Sequence, residues 1–144
     1  MIAVDTNILV CAHRRDSAWH DAAYARIAAL AEGRLAWCIP WNCLHEFVAV
    51  VTHPRIYAPP SRLAEAIDQI EAWLAAPTVT LLSETDGYWP LLKRLLQEGR
   101  IAGPIVHDAR VAAICLLHGV SELWTADRDF GRFADLVVRN PLVA

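Results

Sequence analysis

Apolar residues alternate between short continuous runs and stretches that recur every three or four positions. The runs at 2–4, 35–39, 79–82, 123–125 and 137–138 have the length of strands buried on both faces. Between them lie helical patterns. The one at 17–31 carries Trp19, Ala22/Ala23, Ile27 and Leu30 and is closed by Gly33. Pro40 suits the first turn of a helix that runs to about Thr52, where His53-Pro54 stops it. Pro59-Pro60-Ser61 introduces an amphipathic helix at 62–75, with Leu63, Ile67, Ile70 and Leu74 on one face. Further helices are expected at 85–98, before Gly99, and at 105–118, between Gly103-Pro104 and Gly119. Strands alternating with helices predict an α/β fold with a parallel sheet flanked by helices. No repeat, linker or low-complexity tract divides residues 1–144, so one domain is expected.

That architecture gives the acidic residues their meaning, because open α/β sheets bind ligands beyond the carboxyl ends of their strands. Asp5 ends the run Ile2-Ala3-Val4, and Asp127 follows the strand-like segment 122–125. Glu46 interrupts an apolar helix, and Asp108 sits on the helical row Ile105, Ala109, Ala112, Leu116 with no basic residue three or four positions on. Each acid has an ordinary explanation. Asp5 suits a helix N-cap near Asn7, Glu46 a boundary position, and Asp108 the positive end of its helix. Asp127 and Asp129 would share one side of an extended segment, whereas a turn beginning at Arg128 would make Asp129 a cap. Taken together they need a counter-charge, since two carboxylates at ~4 Å repel by roughly 4 kcal/mol at an effective dielectric of ~20. A hard divalent cation, Mg²⁺ or Mn²⁺, supplies one and suits phosphodiester hydrolysis.

Composition narrows the reading. A chain of 144 residues with 56% hydrophobic and 20% charged residues is globular, and a net charge of −3 creates no general field for polyanions. Any nucleic-acid contact would therefore come from a local basic patch or a bound metal. Twelve of the thirteen basic residues are Arg, with Lys93 the exception. Codon bias is the ordinary account of this, and phosphate recognition by Arg forks the functional one. Cys11, Cys38, Cys43 and Cys115 show no metal-ligand spacing and lie among apolar neighbours, as expected for free thiols in a reducing cytoplasm. The longest aliphatic run, 111–117, is far short of the ~20 residues a membrane span needs. The six Trp residues are expected mostly in the core, with Trp41 the open case.

The segments Val4-Asp-Thr-Asn-Ile-Leu-Val10, His45-Glu-Phe47, Asp108-Ala-Arg-Val-Ala-Ala113 and Thr125-Ala-Asp-Arg-Asp-Phe-Gly-Arg-Phe133 together resemble the PIN-domain ribonucleases, and within them the VapC-like toxins of type II toxin–antitoxin pairs. Val51-Thr-His-Pro-Arg-Ile56 and Asn140-Pro-Leu142 resemble one subgroup. The resemblance implies a three-layer α/β/α sandwich that cleaves RNA with Mg²⁺ or Mn²⁺. It implies Asp5, Glu46, Asp108 and Asp127 as catalytic metal ligands and Asp129 as a further ligand. Asn7 and Thr125 would orient acids or water. It also implies a cognate antitoxin and a homodimer. Arg14, in His13-Arg14-Arg15, would either touch RNA phosphate near the site or lie in a solvated loop, while Arg110, Arg128 and Arg132 beside the acidic motifs are open to RNA phosphate or to pairing with carboxylates.

Two other readings compete. An aspartyl-phosphate phosphatase would use Asp5 as nucleophile, but position 7 is Asn and the only lysine is Lys93. A non-catalytic regulatory module would use the acids only to hold a structural cation.

Overall fold

The computed structural model describes Met1–Val143. Strands β1 (Ile2–Val4), β2 (Trp37–Pro40), β3 (Val79–Leu82), β4 (Glu122–Trp124) and β5 (Val138–Arg139) form one sheet in the order β3-β2-β1-β4-β5. Every pairing is parallel. The helices are α1 (Thr6–His13), α2 (His20–Glu32), α3 (Trp41–Val51), α4 (Leu63–Leu74), α5 (Tyr88–Glu98) and α6 (Val106–Leu117). They flank the sheet, with α1 to α4 packed in sequence-neighbouring groups and α5 against α6. Short 3-10 turns occupy Gly103–Ile105 and Arg128–Arg132.

The central position of β1 follows from its composition. Ala3 and Val4 are fully buried between β2 and β4, where Val4 pairs with Trp124. The strand order reverses at β1, with β2 on one side and β4 on the other. A parallel sheet opens a crevice at such a switch point. Asp5 leaves β1 into this crevice, and its amide donates to the Trp124 carbonyl at 3.0 Å.

Two sequence expectations need correcting. The second helix begins at His20, three residues later than expected, because Ser17 to Trp19 turn on Arg14 and Ser17 carbonyls instead. The apolar face of α4 exists, but only Ile70 of it packs against the core: Leu63 is 60% and Ile67 44% exposed. Helix α4 docks through Ala66 and Trp73, and Trp73 meets Phe47 of α3 edge-on at 5.0 Å. The tryptophans divide evenly: Trp37, Trp73 and Trp124 are buried, and Trp19, Trp41 and Trp89 are exposed.

Candidate functional site

Asp5 is the buried base of the crevice, only 6% exposed. It is the N-cap of α1, so the ordinary reading and the functional one apply to the same side chain. Its Oδ1 accepts from the Thr6 amide at 2.8 Å and from the Cys43 thiol at 3.5 Å. Its Oδ2 accepts from the Thr125 hydroxyl at 2.8 Å and the Asn7 amide at 3.1 Å. Burial pushes its pKa up even so, because desolvation outweighs these bonds, and nearby Glu46 adds to the rise.

Asn7 and Thr125 lock the two strand ends together. The other Asn7 amide hydrogen goes to Thr125 Oγ1 at 2.9 Å, and Asn7 Oδ1 accepts from the Ala126 amide at 2.9 Å. Thr125 Oγ1 also accepts from the Asp127 amide at 3.0 Å. The hydroxyl thus uses its one donor and both acceptor positions. It fixes Asp5 on one side and the start of the Asp127 segment on the other.

Asp108, Asp127 and Asp129 each bring a carboxylate oxygen within 4.8 Å of the others. Asp108 comes from the first turn of α6. Asp127 is the N-cap of the Arg128–Arg132 turn, its Oδ1 accepting from the Asp129 amide at 2.9 Å. Asp129 therefore is not the cap; that role falls to Asp127, and the Asp129 carboxylate stands free to join the cluster. The Asp108 pKa is pushed up to about 6, first by desolvation and then by Asp127, Asp5, Asp129 and Glu46. The other four acids therefore all act on this one carboxyl group. Glu46 lies at the exposed rim, tied to the crevice by a 3.4 Å bond from the Thr6 hydroxyl.

This donor set fits a hard divalent cation. It is all oxygen, its carboxylates repel one another, and among the described residues only Arg132 comes within 4.0 Å of an acid of the triad, at 3.8 Å from Asp129. The sulfur nearby is not a competing ligand. Burial keeps the Cys43 thiol protonated, and it points at Asp5 as a donor.

The arginines separate. Arg14 closes the far end of α1, roughly 13 Å along the helix from Asp5. Its guanidinium is engaged by Asp16, Ser61 and the Pro59 carbonyl and lies 4.1 Å over the Tyr57 ring. These partners leave the Arg14 side chain 11% exposed. Arg110 is paired with Glu84. Arg128 is exposed. Sequence reasoning missed Thr6 and Cys43 as supports of the acids. Cys43 carried only the signature of a buried thiol, and Thr6 that of a cap-box neighbour.

Comparisons with known proteins identify the scaffold that carries these residues. A family model described as PIN domain matches residues 2–136. Ribonuclease VapC48 of Mycobacterium tuberculosis is 31% identical over 137 residues, covering 95% of this chain and 94% of the relative. Ribonuclease VapC43 of the same organism is 33% identical over 142 residues, with 99% and 96% covered. The fold also matches the crystal structure of VapBC2 from Rickettsia felis bound to a DNA fragment from their promoter. There the TM-score is 0.68 and the identity 21%, over 97% of this chain and 98% of that one. The acidic crevice thus sits on a scaffold shared along nearly its whole length, and the chain belongs to the PIN-domain family, among its VapC-like ribonucleases.

Proposed function

We propose that this chain is a metal-dependent endoribonuclease toxin that hydrolyses RNA phosphodiester bonds. The observation that carries the reading is the convergence of Asp108, Asp127 and Asp129 within 4.8 Å above the buried Asp5. Its relatives are named ribonucleases. When bound, Mg²⁺ or Mn²⁺ would neutralise charge at the scissile phosphate and polarise water for in-line attack. Asp108, Asp127 and Asp129 would hold it, with Asp5 as the fixed base of the cup and Glu46 at its rim. The protein's own contribution is rigidity: Thr125 and Asn7 hold both strand ends so that the acids cannot spread apart. Asp108, with a pKa near 6, is ionised at neutral pH and ready to ligate.

A phosphatase mechanism fits poorly. Both Asp5 oxygens are occupied by donors in a 6% exposed position, and none is free to attack phosphorus. The VapBC and FitAB structures that share the fold contain a second protein, which supports a cognate antitoxin as partner. A homodimer and a cytoplasmic location complete the proposal, the latter supported by four free thiols and by the lack, among the described residues, of a helix able to cross a membrane.

The test is cleavage of total bacterial RNA by the purified chain. Cutting should require Mg²⁺ or Mn²⁺, stop with EDTA, and vanish in Asp108→Asn, whose induction should also no longer arrest growth. Mapped RNA ends would identify the target. Undiminished cutting by Asp108→Asn, or in EDTA, would refute the mechanism. Asp108 is the better site to change than Asp5, where an amide nitrogen would face groups that themselves donate.

A further inference from the structure

Three arginines flank the acidic cluster in sequence, and the fold gives them different tasks. Arg110 follows Asp108 by two residues on α6, about 200° around the helix axis, and is held by Glu84. Arg128 opens the 3-10 turn and is exposed. Arg132 closes that turn. In a 3-10 helix side chains three apart eclipse one another, so the segment has two faces. Phe130 and Phe133 form the buried one, their rings 6.0 Å apart. Asp129 and Arg132 form the other.

On that face Arg132 Nε donates to the Asp129 backbone carbonyl at 3.1 Å, while Nη2 lies 3.8 Å from Asp129 Oδ1. The first bond fixes the guanidinium at the edge of the cluster. The second contact is long, and the side chain is 34% exposed. An ion pair of this kind contributes little and opens readily. Four N–H groups on the two Nη atoms remain available beside the carboxylates.

We propose that Arg132 is the phosphate clamp of this site. Once a cation neutralises Asp129, the Nη edge of Arg132 turns onto the oxygens of the RNA phosphate at or next to the scissile bond. Its anchored Nε keeps the fork in place during that exchange, so little order has to be created on binding. A planar fork addresses two phosphate oxygens at once, which a lysine ammonium does not. The assignment rests on the endoribonuclease reading and adds the group that recognises substrate charge in a chain whose net charge repels it.

The test uses the RNA segment that the wild-type chain cuts, fluorescein-labelled, with binding to the cleavage-dead Asp108→Asn chain measured by polarisation in MgCl₂ at several salt concentrations. Adding Arg132→Gln should weaken binding about ten- to hundredfold and flatten the slope of log affinity against log salt by about 0.7. Arg132→Lys should restore part of the slope but not the affinity, and Arg34→Gln, at an exposed position before the amino end of β2 and so at the opposite edge of the sheet, should leave both near wild type. In the cleaving chain, Arg132→Gln should leave Mn²⁺ affinity, read by calorimetry, unchanged or tighter. An unchanged salt slope would overturn the clamp. So would weaker Mn²⁺ binding with a cleavage defect that excess Mn²⁺ repairs, since Arg132 would then only hold Asp129. If the wild-type chain cuts no RNA, the endoribonuclease reading fails and the clamp with it. If it cuts and Arg132→Gln behaves normally, the clamp alone fails.

Discussion

Asp108 is held at the expense of stability, and replacing it measures by how much. Its carboxyl group is moved from an ordinary value of 3.8 to about 6 by desolvation and four neighbouring acids. In metal-free protein at pH 7.5 the charged form is therefore disfavoured relative to the unfolded chain. At ~1.4 kcal/mol per pH unit the penalty has a ceiling of ~3 kcal/mol, and partial exposure reduces it to about 1.5 kcal/mol. The sign follows from the upward direction: the penalty is absent below pH ~4, where both states are protonated, and complete above pH ~6. Burial raises Asp5 in the same direction. Glu84, Asp16 and Glu65 are lowered by their Arg partners or backbone bonds, so their contributions fade only in stronger acid. Asp108→Asn should thus stabilise the protein in EDTA at pH 7.5 by about 1.5 kcal/mol, roughly 5 °C in Tm, with about half that gain at pH 5 and little below pH ~4. Mn²⁺ should raise the Tm of wild type more than that of the variant, in which Asp127 and Asp129 remain as carboxylates. Differential scanning calorimetry reads all four conditions. An Asp108→Asn chain that is equally or less stable than wild type in EDTA at pH 7.5 would show that the carboxylates are not in conflict, and the case for a cation would lose its physical basis.

Thr125→Val keeps the shape of the side chain but removes the hydroxyl that serves Asp5, Asn7 and Asp127. It should cost about 1–3 kcal/mol in urea unfolding and most of the RNA cleavage; wild-type stability would show that the lock is not needed. Native protein should react quickly with a thiol reagent at no more than one site, half-buried Cys11, and at all four cysteines in guanidinium. Burial raises Cys38 to about 12, Cys115 further still, and Cys43 well above the ordinary thiol value; rapid native reaction at two or more sites would contradict it. On α4, Ile67→Ala should change stability by less than ~0.5 kcal/mol, whereas Trp73→Ala should cost about 3–5 kcal/mol. Comparable losses would mean that the exposed row packs against something in solution.

Much of this was legible in the sequence because it is local. Asp5 and Asp127 directly follow strand-like runs, and a parallel sheet directs such residues to one edge whatever the details of packing. The elements themselves came from periodicity, with errors of one to three residues at their ends. The face of α4 was not legible. Spacing shows that Leu63, Ile67 and Leu74 share a side, but which side packs depends on Trp73 reaching Phe47, a contact set by tertiary structure. The support of Asp5 by Cys43 was equally hidden, since nothing in positions 38 residues apart signals a shared hydrogen bond. Arg132 was harder still. Its relation to Asp129 depends on a turn with three residues per repeat, where an α-helix or an extended strand would have directed it elsewhere.

The placement of β1 between an early strand, β2, and a late one, β4, has a consequence during synthesis. Asp5 leaves the ribosome 120 residues ahead of Thr125, the hydroxyl that holds it, and its strand cannot be flanked on both sides until Glu122–Trp124 has emerged. Contacts this distant in the chain form late. A copy made as far as Asp108 thus carries Asp5, Glu46 and Asp108 but neither Asp127 and Asp129 nor the Thr125 hydroxyl, so the acidic crevice cannot assemble until that last segment has emerged.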